Sequence, residues 1–224
     1  MTRPEPSASR SKGKHAAVAP ARRSRVPISL LLGIVAIGVL VIGIAVRNTL
    51  TGADKQAVPY DVGRPGPGDI APDFSLANAD GSTFRFADLR GKQVLLYFHE
   101  GLGCDPCWRQ IDAIQADLAR FTGLGVDQVL AISADPAAAQ ARRAQRTNIT
   151  VPTLADPDRA VSGAYGTLAY GMMNGALPGH TFILVGPDGK IRWRADYGGA
   201  PNYTMFVADD TLLTELRKTL GISG

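Results

Sequence analysis

The only two cysteines of the chain, Cys104 and Cys107, are spaced so that their side chains can form a disulfide within one helical turn. They follow an apolar run, Val94–Phe98, that is typical of a buried strand. Asp105 and Pro106 suit the first turn of a helix, and apolar side chains recur at helical spacing after them. The pattern therefore predicts that Cys104 begins a helix and that Cys107 lies one turn inside it.

A sulfur atom at the start of a helix can act as a nucleophile. The free backbone N–H groups and the positive end of the helix dipole stabilise a thiolate at Cys104, although the carboxylate of Asp105 opposes this effect. Cys107 can then displace a partner from the mixed disulfide that Cys104 forms. This pair of residues therefore predicts thiol–disulfide exchange.

Two other roles are compatible with the cysteine pair. The first is a structural bridge, but the chain-entropy model gives so short a loop only about 2 kcal/mol of stabilisation. The second is a metal site, but zinc sites need about four ligands, and the chain has two cysteines and three histidines. We therefore favour redox chemistry.

Two polar residues lie between the predicted strand and the cysteines. His99 and Glu100 could relay protons to or from the buried thiol of Cys107. Equally, they could be polar residues at the point where a strand reaches the surface. The residues alone leave both interpretations open.

The N-terminal part of the chain predicts a membrane anchor. Residues 1–25 hold seven basic residues and one acid, a net charge of +6. Because the whole chain has a net charge of +4, the residues that follow this tail have a net charge of −2. This polar tail is expected to be disordered. Residues 26–46 carry no charge and are long enough to span a bilayer as a helix. The basic tail then places the N-terminus in the cytoplasm and the remainder outside it.

A cleaved signal peptide is the alternative interpretation of the apolar segment, and it would also export the remainder of the chain. Because the membrane orientation accounts for the basic charge of the tail, no nucleic-acid partner is expected. Residues 47–68 are rich in Gly and Pro and are expected to form a linker. Residues 69–224 then have the size of one compact domain.

Within this domain, short strand patterns alternate with helical ones. Segments 73–76 and 83–86 flank an Asp-Gly turn and predict a hairpin, and one helix is expected over 105–121. Residues 168–179 have no clear period and are expected to form a loop over the site. The order of the elements predicts an α/β fold with a central mixed sheet and helices on both sides.

From Asp69 onward, roughly two thirds of the chain resembles the thioredoxin-like superfamily. Within it, the chain is most similar to the redoxin branch that includes alkyl hydroperoxide reductases and thiol-specific antioxidants. The stretches that carry the resemblance are 71–76, 104–107, 154–158 with 165–166, and 181–191. The resemblance implies a thioredoxin-like fold and, for a membrane-tethered member, dithiol–disulfide exchange outside the cytoplasm.

The family pattern is not matched everywhere. Thioredoxin-like proteins usually carry a cis-proline just before the strand that corresponds to 181–185, and Pro178 lies one residue too early for this position. Thiol peroxidases usually carry Thr and Pro at the positions that hold Gly101 and Tyr97 here. The second departure weakens the resemblance to a peroxidase.

His180 lies where the predicted loop meets this strand, and the resemblance places it near the cysteines. Copper-delivering thioredoxin-like proteins use two cysteines and a histidine near this point, which makes Cys104, Cys107 and His180 an alternative copper site. Those proteins space their cysteines one residue further apart, however. We favour a His180 that is hydrogen-bonded at a loop end or tunes the thiols.

The sequence thus predicts an extracytoplasmic, membrane-anchored thiol–disulfide oxidoreductase that needs no cofactor. The expected partners are protein disulfides or dithiols and a separate thiol redox partner. The catalytic residues are Cys104 and Cys107, with support from His99, Glu100, Asp105, Pro178 and His180. The alternatives are a thiol peroxidase that forms a sulfenic acid at Cys104, and a copper-binding protein.

Overall fold

The computed structural model describes residues 60–172, 175–200 and 202–222. The strands are β1 (Ser75–Asn78), β2 (Thr83–Arg85), β3 (Val94–Phe98), β4 (Gln128–Ser133), β5 (Thr153–Ala155), β6 (Thr181–Val185) and β7 (Ile191–Asp196). The α-helices are α1 (Asp105–Ala116), α2 (Leu118–Gly123), α3 (Ala137–Thr147), α4 (Ala160–Ala164) and α5 (Asp209–Leu220). Short 3-10 helices cover Phe86–Leu89, Gly101–Gly103 and Thr167–Tyr170.

The seven strands form one mixed sheet in the order β2-β1-β5-β4-β3-β6-β7. The central strand β3 runs parallel to β4 and antiparallel to β6. All five of its residues are buried, as expected for a strand that is covered on both faces. The predicted α/β fold with a central mixed sheet is therefore confirmed.

Helices cover both faces of the sheet. On one face, Leu95 and Tyr97 of β3 belong to a core cluster with the apolar sides of α1 and α5. On the other face, Leu96 and Phe98 belong to a second cluster that includes Val161 of α4. Because successive side chains of a strand point to opposite faces, β3 contributes to both cores, and its carboxyl end leads directly to the cysteines.

The predicted elements differ from the structure mainly at their ends. The hairpin is confirmed as β1 and β2, which pair antiparallel. The single helix expected over 105–121 is interrupted at Asp117, where the backbone leaves helical geometry (φ −102°, ψ 11°). The carboxylate of Asp117 instead accepts a hydrogen bond from Arg120 at 2.7 Å, beside the start of α2. Asp has a low preference for helix interiors, in keeping with an interruption at this residue, although its side chain forms no capping hydrogen bond to α2.

The described part of the predicted linker packs along the edge strand β7. Asp61 forms an isolated antiparallel bridge with Asp196, and the N–H of Gly68 donates to the carbonyl of Ile191 at 2.9 Å. Tyr60 is buried, and its hydroxyl accepts a hydrogen bond from the indole of a tryptophan of β7 at 3.1 Å. Residues 60–68 therefore form part of the folded unit.

The predicted tail (1–25), the predicted membrane span (26–46) and the first part of the predicted linker (47–59) lie outside the described residues. Within the part of the chain that the structure describes, no helix is long and apolar enough to cross a membrane.

A fully buried ion pair joins β7 to its surroundings. Nε of Arg194 lies 2.8 Å from Oδ2 of Asp196, and neither side chain is exposed. Asp196 also accepts hydrogen bonds from the N–H of Gly63 at 2.7 Å and the hydroxyl of Thr181 at 2.8 Å. Arg194 donates in turn to the carbonyl of Tyr165 at 2.7 Å. Each charge is thus satisfied by its partner and by further hydrogen bonds.

Candidate active site

The two cysteines form a disulfide at the N-terminus of α1. Cys104 is the N-cap residue, and its Sγ accepts a hydrogen bond from the N–H of Cys107 at 3.2 Å. Cys104 retains 8% of its surface exposed, whereas Cys107 retains none. The predicted placement is confirmed, and Cys104 is the cysteine that solvent can reach.

A 3-10 turn, Gly101–Gly103, connects the end of β3 to Cys104. Gly101 has φ +85°, a conformation that suits glycine, and its N–H donates to Nδ1 of His99 at 3.1 Å. Its carbonyl accepts from the N–H of Cys104 at 3.1 Å and from the indole of Trp108 at 3.2 Å. Both polar groups of the Gly101 backbone are therefore held by neighbours of the disulfide.

His99 is fully buried below this turn. Its ring stacks on Tyr97 at a centroid distance of 5.2 Å and meets the edge of Trp108 at 5.8 Å. Burial lowers the pKa of His99 to about 3, so the ring is neutral at neutral pH. Because Nδ1 accepts from Gly101, the proton lies on Nε2, which has no partner among the described residues.

His180 is also buried, and the structure brings it to the same tyrosine. Its Nδ1 lies 2.8 Å from the hydroxyl of Tyr97, which in turn lies 3.4 Å from the carbonyl oxygen of Cys107. Burial, and secondarily the nearby His99, lower the pKa of His180 to about 3. The favoured interpretation of His180, a hydrogen-bonded residue at a loop end, matches this geometry.

The copper alternative gains no support from the geometry. Both cysteine sulfurs are joined to each other, and Nδ1 of His180 is engaged by Tyr97. Across the described ranges, no group of three or more His, Cys, Asp or Glu side chains is arranged to hold a metal ion.

Glu100 and Asp105 lie on either side of the turn and bind different elements. Oε1 of Glu100 accepts from the N–H of Met172 at 2.5 Å, which ties the predicted loop to the site. Oδ1 of Asp105 forms an ion pair with Arg143 of α3 at 3.2 Å, although the carboxylate is largely exposed. The guanidinium partly offsets the charge through which Asp105 opposes a thiolate at Cys104.

Pro178 is buried in the predicted loop, which begins as a 3-10 helix (Thr167–Tyr170). Arg64–Pro65 is the one cis peptide bond among the described residues. The bond that precedes Pro178 is therefore trans. The resemblance to a cis-proline therefore does not extend to this position.

Sequence reasoning did not assign Tyr97, Trp108 and Arg143 to the site. Tyr97 lies in β3 and His99, two residues later, directly follows the end of this strand, a spacing that places both side chains on one face and could have identified the tyrosine. The guanidinium of Arg143 lies 5.6 Å over the ring of Trp108. No local pattern indicates this contact, because it depends on how α3 packs against α1.

Stability is expected to fall in acid because both buried histidines are held neutral. The unfolded chain protonates them near pH 6.5, and the folded chain only near pH 3, so protons stabilise the unfolded state between these values. Each histidine should lower the free energy of unfolding by up to roughly 1.4 kcal/mol per pH unit within this window. Above pH 6.5 both histidines are neutral in the folded and the unfolded chain, so they cause no loss of stability there.

Urea denaturation between pH 7.5 and 4.5 measures this loss, and His180→Gln should reduce its slope. Asp209 acts in the opposite sense, because burial raises its pKa from an ordinary value near 4 to about 6. Between these two pH values the folded chain binds the proton more readily than the unfolded chain, so Asp209 increases stability as the pH falls. A free energy of unfolding that is constant over this range would contradict the neutral, buried state of the histidines.

Comparison with known families gives a match over most of the domain. The model of the AhpC/TSA family matches residues 67–194. The matched range is more than half of the chain and contains all seven strands except the end of β7. Both cysteines fall within it.

Several curated proteins share sequence with this range. Rv2521 of Mycobacterium tuberculosis, whose assignment as a peroxiredoxin is provisional, is 36% identical over 129 residues, which cover 56% of this chain and 81% of that protein. The thiol-disulfide oxidoreductase ResA of Geobacillus thermodenitrificans is 31% identical over 56% of this chain and 66% of its own length. Peroxiredoxin Bcp of Escherichia coli is 30% identical over 55% of this chain and 81% of its own length.

Solved structures share the fold at lower identity. The peroxidoxin BcpB of Mycobacterium tuberculosis aligns with a TM-score of 0.58 and 22% identity, over 70% of this chain and 98% of that chain. AhpC of Enterococcus faecalis aligns with a TM-score of 0.59 and 17% identity, over 70% of this chain and 93% of that chain. The expected thioredoxin-like fold is confirmed.

Proposed function

This chain belongs to the AhpC/TSA family, and on that premise we propose that it is a thiol–disulfide oxidoreductase that is anchored in a membrane and works outside the cytoplasm. Its similarity to peroxiredoxins and to a thiol-disulfide oxidoreductase indicates that it is an enzyme of the thiol oxidoreductase or peroxidase class. Its substrates are protein disulfides or dithiols, and a second thiol partner restores its starting redox state.

The cysteine pair exchanges two electrons with a partner in two steps. In the reduced enzyme the thiolate of Cys104 attacks a disulfide of the partner, forms a mixed disulfide and releases one partner thiolate. Cys107 then loses its proton and attacks Sγ of Cys104, which closes the internal disulfide and releases the second partner thiolate. The partner is reduced and the enzyme oxidised, and the reverse sequence oxidises a partner dithiol.

The difference in exposure between the two cysteine residues carries this proposal. A partner can reach Cys104 at the start of α1, whereas Cys107 is enclosed one helical turn away. The backbone N–H of Cys107 already points to Sγ of Cys104 in the disulfide form. Such a donor stabilises negative charge on this sulfur when it is released.

An insulin-reduction assay tests the proposal with the full-length chain and dithiothreitol as the electron donor. The wild-type chain is expected to accelerate the precipitation of reduced insulin, and Cys104→Ser is expected to leave only the rate of dithiothreitol alone. Equal rates for the two chains would contradict thiol–disulfide exchange by Cys104.

Peroxidase activity is the second candidate, favoured by the peroxiredoxin names among the relatives. In that reaction the Cys104 thiolate attacks the terminal oxygen of a hydroperoxide, the O–O bond breaks with release of an alcohol, and Cys104 becomes a sulfenic acid. The thiol of Cys107 then attacks this sulfur, which forms the disulfide and releases water. The absence of the usual Thr and Pro at Gly101 and Tyr97 argues against it. A stopped-flow peroxide assay decides, since a rate no higher than that of free cysteine excludes this candidate.

The proposed anchor is residues 26–46, supported by the lack of charge in this segment and the basic residues that precede it. Alkaline phosphatase fused to the C-terminus should be active in intact cells and should sediment with membranes. Deletion of 26–46 should abolish both results. An inactive fusion of the full chain would place the redox domain in the cytoplasm and overturn this part of the proposal.

A further inference from the structure

A carboxylate from the neighbouring strand binds the turn that precedes the reactive cysteine. β3 and β4 end side by side, with Phe98 paired to Ile132, so the residues that follow them meet at one edge of the sheet. Asp135 follows β4 there, and its Oδ2 accepts the N–H of Leu102 at 2.7 Å. The same oxygen accepts the hydroxyl of Ser133 at 3.0 Å, which orients the carboxylate.

The turn also lies against Asp135 without space between them. A Cβ atom at Gly101 would collide with the Asp135 carboxylate, so only glycine allows this approach. Two successive N–H groups of the turn are therefore held by side chains, that of Gly101 by His99 and that of Leu102 by Asp135. Because the N–H of Cys104 donates to the Gly101 carbonyl, the position of Cys104 depends on how the turn is held.

We propose that Asp135 is a positioning residue for thiol–disulfide exchange: its carboxylate fixes the Gly101–Gly103 turn and so places Cys104 for attack, while its negative charge disfavours the reduced, thiolate form. This inference rests on the proposed function. The Asp135 charge contacts the turn from the segment that follows β4, and Glu100 and the Asp105–Arg143 ion pair are further charges beside the turn.

Two variants separate the hydrogen bond from the charge. Asp135→Asn retains an oxygen that accepts the Leu102 N–H, whereas Asp135→Ala removes it. Asp80→Ala is a matched control, because Asp80 likewise accepts one N–H and one hydroxyl, both from Ser82, in the β1–β2 hairpin.

The first measurement is the rate at which the reduced full-length chain reacts with a small aromatic disulfide across a range of pH. Misplacement of a reacting group by about 1 Å can cost up to roughly a hundredfold in rate, and we expect Asp135→Ala to be about tenfold slower. Asp135→Asn should stay within about threefold of wild type, and Asp80→Ala should match wild type. An Asp135→Ala rate equal to that of Asp80→Ala would overturn the inference.

The second measurement is the thiol–disulfide equilibrium with glutathione, which a merely structural role would not change. Removing the charge in Asp135→Asn should shift this equilibrium several-fold towards the dithiol, where tenfold corresponds to about 30 mV. If Asp135→Ala fails to fold, the equilibrium of Asp135→Asn with glutathione is the deciding measurement, and an equilibrium equal to that of the wild type overturns the inference. An unreactive wild-type chain would contradict the proposed function itself, and with it the inference. If the wild type reacts and the Asp135 variants have the same rate and the same equilibrium as the wild type, only the role of Asp135 is contradicted.

Discussion

Replacing Asp196 by alanine is expected to destabilise the domain by about 3–5 kcal/mol, because it leaves a buried charge without its counter-ion. Arg194 is completely enclosed and would retain its positive charge in the variant. The N–H of Gly63 and the hydroxyl of Thr181 would lose their acceptor at the same time. Urea denaturation of the wild type and the variant measures the difference in the free energy of unfolding.

An exposed ion pair close in sequence provides the control. Asp188 binds Arg192 at 3.0 Å, and nearly half of each side chain is exposed. Asp188→Ala should therefore cost no more than about 1 kcal/mol. If Asp196→Ala cost as little as Asp188→Ala, the Arg194–Asp196 pair would not be buried and mutually satisfied as the structure describes.

Replacing Cys104 by serine is expected to lower the rate of disulfide exchange on the order of a thousandfold, since the attacking sulfur is lost. Cys107→Ser should behave differently, although it also removes one sulfur of the pair. It retains Cys104, the more accessible of the two cysteines, so the first step proceeds and a mixed disulfide accumulates because nothing resolves it. Intact-mass spectrometry after incubation with oxidised glutathione distinguishes the two variants.

The expected spectrum of Cys107→Ser contains one glutathione adduct, and that of Cys104→Ser contains almost none. Equal adduct formation by both variants would mean that Cys107 is as accessible as Cys104. The assignment of attacking and resolving roles would then be wrong, because it depends on the exposed fraction of the two cysteines.

Local patterns predicted the elements that carry the cysteines. β3 matches the expected strand residue for residue, and α1 begins directly after Cys104, because an apolar run and a proline in a first turn are short-range signals. The edge strand β7 runs from Ile191 to Asp196. Arg194 and Asp196 of this strand are buried together, because each neutralises the charge of the other.

The surroundings of the disulfide were less accessible to sequence reasoning. His99 and His180 were recognised as neighbours of the site, but their burial depends on rings contributed by separate elements, including Tyr97 and Trp108. Asp135 reaches the turn only because β3 and β4 pair in a particular register. Such contacts are set by tertiary packing, and no pattern within a single segment specifies them.

The central claim is that the Cys104–Cys107 disulfide is a working redox pair and not a structural bridge. Its most direct test is the equilibrium of the full-length chain with glutathione and dithiothreitol buffers, in which free thiols are counted at each potential. A working pair should open reversibly in one two-electron transition at a potential above about −300 mV. A disulfide that stays closed throughout that range and opens only at lower potentials would be structural, and would contradict the account.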